Sequence, residues 1–189
     1  ELGRSADART HLERALGICR EVGLVLHFPM VAVPLGNTYL LAGRTDAAVA
    51  LLTQTLERVL AADMVNFDGV CRFSLAEALL DAGRIDEAAD LATQALAVVR
   101  RRGERGYEAY TLRVLGQIER RRGDARAALD RAGESLALAQ ALGMAPLQAH
   151  DHADIAVAYA ELGRARQARA ALNKAIERYR ALAMSAHEV

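Results

Sequence analysis

Residues 35–52 read LGNTYLLAGRTDAAVALL. A large apolar residue, Leu35, is followed by a small one, Gly36. Tyr39 comes three further on, then Gly43 in a polar turn, then Ala48 and Leu52. The same frame returns every 40 residues, as LAEALLDAGRIDEAADLA at 75–92, LGQIERRRGDARAALDRA at 115–132 and IAVAYAELGRARQARAAL at 155–172. Gly3, Gly43, Gly83, Gly123 and Gly163 mark the period. Each is followed five residues on by an alanine: Ala8, Ala48, Ala88, Ala128 and Ala168. A fixed period of this size is the signature of stacked supersecondary units.

The frame puts a helix on either side of each glycine. Helices after it (B) are expected near 5–22, 45–62, 85–102, 125–142 and 165–182. Helices before it (A) are expected near 27–42, 67–82, 107–122 and 146–162. In B, Leu16, Leu56, Leu96, Leu136 and Ile176 share one phase, and the small residues Ala15, Thr55, Ala95, Ser135 and Ala175 share the next. With the spaced alanines they form one apolar stripe. In A, Leu35, Leu75, Leu115 and Ile155 share a phase. They are followed by Gly36, Ala76, Gly116 and Ala156, whose small size lets the two helices of a unit approach. Glycine tolerates the left-handed backbone that ends an A helix. B helices are expected to end at a second phase, Gly23, Asp63, Gly103, Gly143 and Ala183. Pro146 suits a first helical turn, and Pro34 is expected to bend or tighten the start of its helix.

Composition agrees. Of 189 residues 52% are hydrophobic and 25% charged, so the chain has the apolar content of a packed protein. About a fifth are alanine, the best helix former. Formal net charge is zero, which argues against non-specific attraction to nucleic acid or an anionic membrane. Only Lys174 among the 24 basic residues is lysine, the mark of a GC-rich bacterial genome. Cys19 and Cys71 fall on different repeats and read as small buried hydrophobes in a reducing cytoplasm. No apolar run approaches a membrane span, and no signal peptide is evident. The chain starts without Met inside a turn, so it is expected to be a piece of a longer protein.

The pattern resembles the tetratricopeptide repeat (TPR) family. Large-then-small apolar residues in helix A, a following aromatic (Tyr39, Tyr159), a glycine turn and spaced alanines in helix B all match. Leu79 and Glu119 depart at the aromatic position, and Ala92 and Ala132 are smaller than Leu12, Leu52 and Leu172 at a helix-B position. The period of 40 exceeds the family's common 34. Long repeats of this kind resemble those attached to bacterial signalling proteins. The implied fold is an all-α, right-handed superhelical solenoid forming a single domain over residues 1–189. Half a repeat would lie at 1–24, with full repeats near 25–64, 65–104, 105–144 and 145–184.

The resemblance also implies a concave groove lined by the A helices. Its residues would be Met30, Val33 and Asn37, then Phe73 and Glu77, then Tyr110, Arg113, Gln117 and Arg121, then His150. Asn37, Glu77 and Gln117 are equivalent positions suited to bonding a peptide backbone. Family members that clamp a terminal carboxylate use a lysine where this sequence has Val33, a departure from that clamp.

Other constellations carry less. In His150-Asp151-His152-Ala153-Asp154 the two histidines point to different sides of a helix. His150 and Asp154 alone are too few for zinc. No phosphate loop or nucleophile–base pair is present. The arginines at 100–102, 105, 113 and 120–122 are interleaved with Glu104, Glu108, Glu119 and Asp124, and read as a solvated face. The expected function is a protein or peptide interaction module without catalytic, cofactor or metal residues. The alternative is a regulatory segment of a larger signalling protein, a nucleotide cyclase or ATPase-type regulator. Uncapped repeat ends make self-association through them an expected property.

Overall fold

The computed structural model describes the backbone of residues 2–185 and the side chains of residues 7–183. Among these residues there are nine helices and no strand: α1 (Leu2–Glu21), α2 (Phe28–Leu41), α3 (Thr45–Ala61), α4 (Val65–Asp81), α5 (Ile85–Arg102), α6 (Arg105–Arg121), α7 (Ala125–Ala141), α8 (Ala145–Glu161) and α9 (Ala165–Ser185). The fold is an all-α helical-repeat solenoid. No described helix is long and apolar enough to cross a membrane.

Each turn is one motif built many times. Gly43, Gly83, Gly123 and Gly163 all have φ between 68° and 87°. Around Gly43, the Gly43 N–H donates to Leu40 O and the Arg44 N–H donates to Tyr39 O, at 2.9 and 2.8 Å. These bonds consume carbonyls that a helix end leaves unpaired. The other phase closes in the same way: the N–H groups of Leu24, Met64, Glu104 and Met144 donate to Cys19, Val59, Val99 and Ala139. Three of these turns hold a left-handed glycine, and the fourth holds Asp63 at φ 49°. One N-cap residue follows each left-handed residue, so α4, α6 and α8 start directly after it, earlier than the periodicity suggests. Asp124 is the one N-cap among them whose side chain accepts from its own first turn, from Ala127 N–H at 2.8 Å.

Two expectations need correction. Gly3 lies inside α1, not in a turn. α9 runs past Ala183 to Ser185, because alanine carries a Cβ that disfavours the left-handed stop and continues a helix readily. α2, expected near 27–42, spans Phe28–Leu41 and has 14 residues, where α4, α6 and α8 have 17. A helix begun at Val25 would need an N–H from Pro29, so α2 starts at Phe28 and Pro29 falls in its first turn. It then runs unbroken through Pro34, and the Thr38 hydroxyl bonds back to the Pro34 carbonyl at 2.8 Å.

The chain forms two compact units, Glu1–Val98 and Val99–Val189, whose boundary falls inside α5. In the first, α2 packs on α1, α3 and α4. Leu16, Cys19, Phe28, Ala32, Leu35 and Leu51 make a buried cluster there. Two cations lie over the Phe28 ring, the Arg58 guanidinium 4.3 Å and the Arg20 guanidinium 5.8 Å from its centroid. In the second unit α8 packs on α6, α7 and α9. Its interior is rich in alanine: Ala132, Ile155, Ala156 and Ala171 in one cluster, Ala109, Ala139 and Leu147 in another. Short side chains let these helices lie close, which brings polar groups of α6, α7, α8 and α9 within reach of one another.

Candidate partner-binding face

In each unit two A helices lie side by side, α2 with α4 and α6 with α8. Their faces display the predicted groove residues unevenly. In the first unit Met30 is 58% exposed, Asn37 is exposed and Glu77 is half-buried. Val33 and Phe73 are buried, at 8% and 7%. Those two belong to packing, since a branched aliphatic and an aromatic gain more from burial than from facing water. Further along α4, Arg72 donates to Asp68 at 2.6 Å and to Gln94 at 2.5 Å. The Thr45 hydroxyl donates to Asp81.

The second unit gathers its residues into a polar cluster. Arg113 Nε donates to Asp154 Oδ2 at 2.8 Å, and Gln117 Nε2 donates to the same oxygen at 3.2 Å. Arg113 and Asp154 keep only 17% and 25% of their side-chain surface in water. One turn away, His150 Nδ1 and the Tyr179 hydroxyl share a hydrogen at 2.7 Å, with the rings edge to face and 5.5 Å apart. Burial, then the nearby Arg113 charge, push the His150 pKa down. Burial also pushes the Tyr179 hydroxyl up. The pair is therefore neutral beside an ion pair. Arg113, Gln117 and His150 thus come together. Arg121 stays exposed, and Tyr110 is half-buried at the far end of α6. There Tyr107, Tyr110, Gly106 and Met144, with Glu104 and Arg105, line an open recess.

Tyr179 was not foreseen. It lies on a B helix, at the position where the other repeats have Val59, Val99 and Ala139, buried at 1%, 0% and 0%. A tyrosine replacing small apolar residues at a core phase was the available signal. The metal-like string separates as helical geometry requires: His150 turns to Tyr179, while Asp151 and His152 are buried. Among the described residues no three His, Cys, Asp or Glu side chains gather as for a metal ion. Cys19 and Cys71 are buried and unbridged.

Part of the arginine run is paired with acids within the second unit. Arg100 meets Glu108 at 2.7 Å and Glu134 at 3.8 Å, Arg102 meets Glu104 at 2.6 Å, and Arg120 meets Glu161 at 3.2 Å.

Known proteins fit this architecture. Tetratricopeptide repeat patterns match residues 29–54, 71–141 and 154–181. No curated protein sequence matches the chain. Among solved structures, aspartyl phosphate phosphatase F from Bacillus subtilis superposes with a TM-score of 0.76 at 12% identity, over 94% of this chain and 45% of that one. The apo form of RapI gives 0.71 at 12% identity, over 97% and 80%. The signal transduction ATPase PH0952 from Pyrococcus horikoshii, a STAND protein with a tetratricopeptide repeat sensor, gives 0.64 at 20% identity, over 89% and 27%. At these identities the likeness is one of fold. With the 40-residue frame, the glycine turns and three matching segments in hand, the chain is a member of the tetratricopeptide repeat family.

Proposed function

We propose that this chain binds a protein partner, in the form of an extended peptide or a partner helix, along the exposed faces of its A helices. The polar cluster on α6 and α8 carries this reading. Arg113, Gln117, Asp154, His150 and Tyr179 are part-exposed, pre-oriented by one another and matched in charge. Side chains held this way lose little freedom when they exchange an internal bond for one to a ligand. The Tyr107–Tyr110 recess beside Met144 adds an apolar slot for one side chain. Asn37 and Glu77 supply the equivalent polar positions of the first unit.

The test is a peptide-array selection with the full chain. Peptides selected by the native protein are expected to lose about tenfold or more in affinity on Arg113→Ala combined with Asn37→Ala. Unchanged affinity would remove the face from consideration.

A second reading rests on PH0952, whose tetratricopeptide repeats form a sensor within a larger ATPase. Here the chain is the regulatory segment of a signalling protein, reporting partner occupancy to a catalytic domain. The full reading frame decides it: an ATPase or cyclase domain in the same polypeptide is expected, and repeats alone would end it.

The outer face of α9 further supports self-association. Leu172, Ile176 and Tyr179 are 49%, 38% and 40% exposed, where their counterparts Leu52, Leu56 and Val59 in α3 are 0%, 8% and 1% exposed. In α3 those positions are covered by flanking helices of the stack.

A further inference from the structure

Asp151 sits in the middle of α8 with no exposed surface. Its Oδ1 is 2.9 Å from Ser135 Oγ on α7, and that Oγ is 2.9 Å from the Ala109 carbonyl oxygen on α6. Two oxygen–oxygen contacts of this length need two hydrogens. The serine hydroxyl has one, and the carbonyl has none. If Ser135 donates to Ala109, the second hydrogen must come from the Asp151 carboxyl. An ionised Asp151 would leave one contact as bare oxygen against oxygen. It would also bury an anionic Oδ2 that has no hydrogen-bond partner.

The repeat frame points the same way. Val31, Cys71 and Thr111 stand where Asp151 does, and none brings a charge. Cys71 is buried, and its thiol is pushed up to about 12, chiefly by that burial. The position is one where every repeat places an uncharged group.

We propose that Asp151 is a proton-operated tie. As a neutral acid it joins α8 through Ser135 to α6 and α7, and on losing its proton it loosens that three-helix contact. The tie stands independently of the partner-binding reading. The groups around it are Arg113 from α6, the Ser135 hydroxyl from α7, Tyr179 from α9, and Asp154 and His150 from α8 itself. Arg113 is already engaged by Asp154, and His150 is held toward its neutral form. Neither donates a hydrogen bond to Asp151, and burial outweighs the pull of the Arg113 charge. Burial raises the Asp151 carboxyl to about 7, against the opposing pull of Ser135 and Arg113 and with some help from Asp154. An unfolded aspartate titrates near 4 (about 3.9). The folded state therefore holds the proton that the unfolded state releases between these values. The stabilisation is complete below about pH 4, is lost as pH rises through about 7, and changes little beyond.

Asp151→Asn keeps a donor toward Ser135 without the charge. Denaturant unfolding of the full chain from pH 4 to 9 should show the native folding constant falling relative to this variant, by up to about tenfold per pH unit. The variant should be the more stable protein above pH 7. Parallel pH profiles for the two would overturn the tie. Should the variant fail to fold, carboxyl carbon shifts of the native protein decide the matter. An Asp151 midpoint near 7 upholds the tie, and one near 4 overturns it.

Discussion

Gly36 and Leu52 show how closely single residues are matched. A Cβ built on Gly36 would lie 2.8 Å from Leu52 Cγ and Cδ2, and Leu52 has no exposed surface into which to retreat. Gly36→Ala should cost about 1–3 kcal/mol through overpacking. The pair should also couple: Gly36→Ala in a Leu52→Ala background should cost less than in the native protein. A thermodynamic cycle by urea unfolding measures this, and strict additivity would contradict the contact. Gly116 is different, since its Cβ would meet the Ala128 carbonyl and Arg131 Cβ at 3.2 Å. Much of this scale was legible in sequence. The small residues after Leu35, Leu75 and Leu115 announced a close approach, and all of them are buried. Tyr179 and the Ser135–Asp151 contact were not legible. They depend on which side chains of different helices meet, and a period read along one chain carries no distance across the stack. Val33 and Phe73 misled for a related reason. A groove position assigned by family geometry says where a Cβ points, not whether its neighbours leave it open.

Among the elements, the end of α3 departs most from its counterparts. Gly23, Gly103 and Gly143 take the left-handed conformation at φ 71°, 69° and 68°, and Asp63 does so at 49°. Aspartate tolerates this region better than most residues, yet still bears strain that glycine avoids. Asp63→Gly should therefore raise stability by about 1 kcal/mol, read as a higher unfolding midpoint with an unchanged denaturant slope. A lower midpoint would show that the Asp63 side chain contributes more than its backbone costs. The sequence placed this turn correctly because three glycines shared its phase. It misplaced the last turn, at Ala183, because alanine at the same phase carries the opposite instruction.

For the molecule as a whole, the unsatisfied α9 stripe gives the clearest expectation. Leu172→Glu with Ile176→Glu adds charge to a surface whose counterparts in α3 are buried. If that stripe mediates self-association, light scattering across concentrations should show the native protein gaining mass and the variant holding constant. A native protein of constant mass would exclude such association. Neither substitution should cost much stability, since both side chains already contact water.

The fit of Gly36 against Leu52 also bears on how such a chain can be rearranged. The four repeats keep a common frame, but the positions equivalent to Gly36 and Leu52 hold Ala76 and Ala92, Gly116 and Ala132, and Ala156 and Leu172. Volume is traded across the pair differently each time. A chimera that grafts the helix carrying Ala76 onto the one carrying Leu52 would bring a methyl to a place that now has none. The repeats are therefore alike in register but not interchangeable as parts, and recombination between them is disfavoured by their interiors rather than by their turns.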